Sequence, residues 1–236
     1  MRLKDITSHV GLPIILKIGG VEAVSDVYNA LSIGVKSIIA PMAETPFALS
    51  KFLKLIKNFV PKDNAEDIEF AFNLETITAV ENINEMLKLE DINLLSGMTI
   101  GRVDLTGSMY LDRSSVDSSE VLDICKSSFA KAKEAGLSTG LGGAISASSL
   151  GFIESLSSQN LIEKFETRKV VFGKDSYRYG EKAILKAVEF ELEWLKSKRR
   201  YYSTIKQEDE SRIEMLSKRL VASTPSLSNI SNTINH

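Results

Sequence analysis

The chain is almost without histidine: of 236 residues only His9 and His236 carry an imidazole. That count excludes a histidine-built zinc centre. It also leaves no serine–histidine machinery, because His9 falls near the end of a short helical stretch and His236 is the last residue. General acid–base work must fall to lysine, carboxylate, tyrosine or metal-bound water. Cysteine is scarcer still. Cys125 stands alone, so no internal disulfide forms, as expected of a reducing compartment. Its place on an amphipathic stretch makes it a small core residue. Neither sign of charge dominates, with 29 Lys and Arg against 31 Asp and Glu, which argues against a nucleic-acid partner. No apolar run approaches the ~18 residues of a membrane span, and the opening MRLKDITSHVGLP lacks an apolar signal core. A soluble, cytoplasmic protein is expected. No GxGxxG follows a strand; Gly140-Leu-Gly-Gly143 has the wrong spacing and lies mid-strand, so a dinucleotide fold is not expected.

What remains is 43% hydrophobic, enough for one substantial core, and it is punctuated regularly. Residues 1–10 read as a helix ended by Gly11. Residues 12–18 read as a buried strand entered at Pro13 and left through Gly19-Gly20. Helices are predicted over 21–33, 45–59, 78–89, 118–135 and 148–156, and strands over 35–42, 68–75, 97–104, 137–145 and 165–172, with a polar loop at 61–65. Strand and helix alternate through six βα units without a hairpin, the pattern of a parallel sheet with right-handed crossovers. A (β/α)8 TIM-type barrel usually needs about 250 residues, so a barrel here is expected to be incomplete. From about residue 180 the texture changes to two helices, 181–202 and 207–221. The first has apolar residues on more than one face, and it packs either on the barrel exterior or on a neighbouring subunit. The expected organisation is a barrel domain over 1–178, a helical extension over 179–221, and a disordered tail over 222–236.

In a parallel barrel the chemistry lies at the carboxyl ends of the strands. The polar residues there are Lys17, Glu44 beyond Pro41-Met42, Glu75, Asp104 and Ser146. Glu75 and Asp104 end successive strands, and two such carboxylates can share one hard cation whose other positions go to substrate and water. A carboxylate at a strand end can equally be a helix cap or a solvated loop residue. Lys17 has two glycines after it, which leaves room for a ligand; it can bind a substrate oxygen or simply snorkel to the surface. The turn from Gly101 to Ser108 offers backbone N–H groups able to hold a carboxylate, unless it is an ordinary loop with Arg102 in solvent.

These stretches carry a resemblance. Gly34 to Pro46 (GVKSIIAPMAETP), Asn73 to Leu87 (NLETITAVENINEML) and Ile100 to Met109 (IGRVDLTGSM) resemble the HpcH/HpaI aldolase/citrate lyase family. The family's E-T-x-x-A-x-E-N element is matched by Glu75, Thr76, Ala79, Glu81 and Asn82, and its G-x-x-D-L-[ST] element by Gly101, Asp104, Leu105 and Thr106. Pro41-Met42 matches the pair after the preceding strand. The resemblance spans roughly residues 10–175. It implies a metal-dependent (β/α)8 barrel acting on pyruvate, oxaloacetate or related acids and acyl-CoA esters. It further implies Mg²⁺ or Mn²⁺ held by Glu75 and Asp104, and a substrate carboxylate bound around Arg102, Val103 and Asp104. Two features depart from the family. Lys17 stands where its aldolases carry arginine, and lysine lacks the bidentate fork. The family's first two βα units, which supply an acid–base residue, precede this first strand.

The expected function is that of a carbon–carbon lyase or aldolase on a 2-oxo acid, working through a metal-stabilised enolate, with Lys17 adding positive charge at the substrate oxygen. A homo-oligomer built through the C-terminal helix is expected. The alternative is a catalytically inactive barrel that binds a ligand or serves assembly. A phosphoenolpyruvate-type enzyme would need more basic residues near Gly140–Ser146 than the chain has.

Overall fold

The computed structural model describes residues 2–223 of the chain. The expected tail lies outside the described residues from 224 onward. Helix α1 (Arg2–His9) is followed by β1 (Ile15–Lys17), α2 (Val24–Ile33), β2 (Ser37–Ala40), α3 (Pro46–Phe59), α4 (Lys62–Asp67), β3 (Glu69–Leu74) and α5 (Ile77–Met86). Then come β4 (Gly97–Gly101), α6 (Arg102–Ser108), α7 (Ser119–Glu134), β5 (Ser138–Gly142), α8 (Leu150–Ser158), β6 (Lys164–Glu166), β7 (Val171–Gly173) and α9 (Glu181–Ser223). The chain divides into two compact units within α9, at Val188.

The first unit is a seven-stranded sheet in sequence order, curled into a half-barrel. Strands β1 to β6 pair in parallel, each one step along from the last. The helices start where the sequence supplies caps. Thr45 accepts from the Ala48 amide ahead of α3, Thr76 from the Ala79 amide ahead of α5, and Ser118 from the Val121 amide ahead of α7. Gly34 closes α2 in the left-handed region, where a Cβ would be strained.

Alternation along the strands separates two faces. One carries Ile38, Phe70, Phe72, Leu74, Met98, Ile100, Leu141 and Phe165, all in the core. The other face is different. One row of neighbours across four strands reads Asn73, Thr99, Gly140, Lys164. A filled barrel would put bulky branched residues there; here the lining is small or polar.

Four expectations need correction. The fourth strand ends at Gly101, because Arg102–Ser108 turn into α6. The predicted strand 165–172 is a hairpin, with β7 antiparallel to β6; Thr167, Arg168 and Lys169 interrupt it, and Thr167 exchanges backbone and hydroxyl contacts with Val170. The polar loop at 61–65 is helical, as α4, after Pro61. The two C-terminal helices are one, α9, because residues 203–206 contain neither glycine nor proline to stop it.

Candidate functional site

Glu75 follows the last residue of β3 and is buried, at 4% side-chain exposure. An ionised carboxylate so placed needs partners. Its Oε2 accepts the Met42 amide at 3.2 Å, and its Oε1 accepts Asn73 Nδ2 at 3.0 Å and lies 3.5 Å from Lys17 Nζ. Met42 holds φ at 50°, a left-handed conformation uncommon outside glycine that is kept where surroundings demand it. Here it sets the Met42 N–H on the carboxylate. Lys17, which the sequence offered as a substrate-binding residue, stands beside this carboxylate and remains half-exposed.

The floor beside Glu75 is glycine. Gly101 and Gly142 are register partners on β4 and β5. A Cβ on Gly101 would stand 2.7 Å from Glu75 Oε1, and one on Gly142 would stand 3.1 Å from Glu166 Oε1. Two carboxylates thus lean over a two-glycine floor from opposite sides. Burial pushes the Glu166 carboxyl above its ordinary value, Lys164 and Lys17 pull it back, and Glu75 pushes it up again. Glu166 was not legible in the sequence, where it sat inside an ordinary-looking predicted strand. The signal that could have found it was the glycine run on β5, which leaves space for long side chains of the next strand.

Helix α6 begins directly beyond the floor. Gly101 occupies its N-cap and gives it no side-chain cap. A Cβ on Gly143, whose φ is 84°, would lie 2.6 Å from the Arg102 amide nitrogen and 2.7 Å from that of Val103. Only glycine can pack this closely on those two amides, at the end of a helix that favours anions. Asp104 stands exposed on the first turn, three residues past the glycine against which Glu75 rests.

Arg102 is fully buried. Its Nε donates to Gly142 O, its Nη1 to Val116 O and to the Asp117 carboxylate, and its Nη2 to Gly143 O and Ser149 Oγ. All five donors are used, and the guanidinium lies 4.7 Å over the Phe152 ring. Burial lowers its pKa and Asp117 opposes that. The side chain ties residues 116–117 to the connection between β5 and α8; Arg102 is buried as a whole, Val103 is half-buried and Asp104 is exposed. Asn82, in the acidic element, donates to Glu44 O at 3.0 Å and ties α5 to the loop before α3. Ser146 caps the short turn ahead of α8. Cys125 is in the core, its thiol pushed up to about 12 by burial. His9 is exposed at the end of α1.

The donor set suits a hard divalent cation. Among the described residues no three His, Cys, Asp or Glu gather at metal-binding separation, but Mg²⁺ characteristically takes one or two carboxylates plus water and substrate. The buried Glu75, the cradle that a Cβ on Gly101 would fill, and the unpartnered Asn73 Oδ1 are oxygen-rich features of that kind.

The profile of the HpcH/HpaI aldolase/citrate lyase family matches residues 14–142. Among solved structures the chain is similar to the HpcH/HpaI aldolase from Desulfitobacterium hafniense DCB-2, at 15% identity over 69% of this chain and 68% of that one, with a TM-score of 0.55. It is similar also to citrate synthase SbnG, at 15% identity over 84% of this chain and 77% of that one, with a TM-score of 0.59. At such identities the likeness is one of fold. None of the curated proteins matches the chain.

Proposed function

Since this chain belongs to the HpcH/HpaI aldolase/citrate lyase family, we propose that it is a metal-dependent carbon–carbon lyase or aldolase acting on a 2-oxo acid or related carboxylic acid, on a (β/α)8 barrel plan. The observation that carries this reading is the buried Glu75 carboxylate packed against Gly101, the residue from which α6 and Asp104 spring. Family members generally use a divalent metal. Glu75 and Asp104 would hold Mg²⁺ or Mn²⁺. When bound, the cation supplies Lewis acidity that takes up negative charge developing on substrate oxygen as the C–C bond is made or broken.

The protein groups do the rest. The Val103 and Asp104 amides at the start of α6 bind the substrate carboxylate. Lys17 sets a positive charge beside the same oxygens and balances Glu75 while the site is empty. Met42 and Asn73 hold the Glu75 carboxylate in one orientation. The Arg102 side chain positions the amides by fixing the loops that carry Gly142 and Gly143. No described helix is long and apolar enough to cross a membrane, and we place the protein in the cytoplasm as a homo-oligomer joined through α9.

Titration calorimetry with Mn²⁺, with and without oxaloacetate or pyruvate, tests the reading. Glu75→Gln and Asp104→Ala should each weaken Mn²⁺ binding by about tenfold or more while the protein stays folded. Unchanged Mn²⁺ affinity in Asp104→Ala would remove the metal assignment. A parent chain that binds neither cation nor acid, yet forms a stable oligomer, would favour the assembly-subunit alternative.

A further inference from the structure

Helix α9 continues well past the first unit, and in the second unit it carries large apolar side chains in the open: Leu192 50%, Leu195 49%, Tyr202 56%, Ile213 62% and Leu216 42% exposed. Exposed apolar residues at this density mark an interface. Their spacing is specific. Positions 192, 195, 199, 202, 206, 209, 213 and 216 alternate steps of three and four, so they form one a/d seam of a heptad repeat. The seam is apolar at both ends and polar in the middle, where Arg199, Lys206 and Asp209 stand. The flanking charge is segregated too. Lys196, Lys198, Arg199 and Arg200 form a basic block, and Glu208, Asp209 and Glu210 an acidic one.

We infer that two copies of the chain pair their α9 helices antiparallel, in a register that sets Leu192 against the second copy's Leu216 and Leu195 against its Ile213. The inference rests on the reading that the chain self-associates through α9, and it adds the partner's orientation and register. The same register sets Arg199 against Asp209 and Tyr202 against Lys206. All eight seam positions then find a complement: apolar against apolar, cation against carboxylate, and ammonium against an aromatic ring. Residues 198–200 of one copy fall on 208–210 of the other, so the basic block covers the acidic block twice by symmetry. The parallel, in-register alternative puts Arg199 on Arg199, Lys206 on Lys206 and Asp209 on Asp209. Those are three like-charge contacts in the seam, and each is unfavourable. Polar seam residues characteristically select one register at some cost in stability. Here they select the antiparallel one.

The test uses the full chain. Sedimentation should show a monomer–dimer equilibrium, and Leu195→Asp or Ile213→Asp should weaken it by about a hundredfold or more. Arg199→Asp alone and Asp209→Arg alone should each weaken it by about tenfold, and the two together should restore it to within about threefold, since the seam pair is rebuilt with its signs exchanged. Oxidation of co-expressed Leu192→Cys and Leu216→Cys chains should give a mixed covalent dimer, and either variant alone should give none. A covalent dimer from Leu192→Cys alone, a trimer, or no recovery in the charge exchange would overturn the antiparallel register while leaving self-association through α9 in place. A monomer at all concentrations would overturn both.

Discussion

Arg102 offers the sharpest separation of framework from chemistry. A methionine there keeps most of the stem and removes the guanidinium. Five contacts go with it: Gly142 O, Gly143 O, Val116 O, the Asp117 carboxylate and Ser149 Oγ. Removing one partner of a buried ion pair typically costs about 3–5 kcal/mol. Asp117 is not orphaned, since the Ser148 and Ser149 hydroxyls still donate to its Oδ2 at 3.2 and 3.0 Å, which moves the pair toward the low end. Against that, three carbonyls lose a donor, at about 1 kcal/mol each where no water replaces it, and the contact with Phe152 is lost. These terms overlap, and a net of about 4 kcal/mol is expected for Arg102→Met. At about 2–4 °C per kcal/mol for a chain of this size, the melting temperature should fall by about 8–16 °C. Thermal unfolding followed by circular dichroism measures it. Arg102→Lys should recover only part, because an ammonium cannot span the five acceptors. A cycle with Asp117→Asn should show coupling of about 1–3 kcal/mol. If Arg102→Met melted within about 2 °C of the parent, the guanidinium would not be a clamp and its expected part in substrate binding would return.

Three further outcomes follow from the same geometry. Gly101→Ala places a methyl 2.7 Å from Glu75 Oε1, so Mn²⁺ affinity measured by calorimetry should drop by about tenfold or more with the fold intact; unchanged affinity would mean that Glu75 is not a ligand. Burial raises the Glu166 carboxyl above its ordinary 4.5, so the folded chain keeps that proton to higher pH than the unfolded chain. The resulting stability is fully present below the unfolded value and lost as pH rises through the folded one. Glu166→Gln, neutral throughout, should therefore gain on the parent in urea unfolding at about pH 8 and lose that gain at about pH 4; a gain that grew on acidification would reverse the sign. Finally, Cys125 is buried with its thiol pushed up to about 12, so its labelling by a disulfide reagent should track global unfolding in denaturant, and fast labelling of the native chain would refute the core assignment.

How far these features were legible in the sequence depends on the range of the interaction that makes them. Helix starts at Thr45, Thr76 and Ser118 are local, a hydroxyl reaching an amide three residues on, and they appear in the sequence as they do in the fold. The helix at 102–108 was hidden because the strand pattern runs smoothly from Met98 to Val103. What stops β4 is a tertiary demand, Arg102 reaching residues 40 and more positions away, and no periodicity records that. The hairpin at 167–170 was hidden because the polar residues between Phe165 and Val170 look like a solvated strand face. Glu75 was legible through its motif, yet the motif did not distinguish chemistry from framework. Glu75 faces the glycine floor, whereas Thr76 caps a helix and Asn82 ties α5 to the loop before α3. Glu166 belongs to neither motif. It enters because β5 offers Gly142 where another strand would offer a side chain, and a glycine's meaning in a sheet depends on what leans over it. The two faces of the sheet therefore differ in how they were encoded. The helix-covered face is written in apolar residues that any period analysis finds, while the polar face is written in glycines, which define a site by the room they leave.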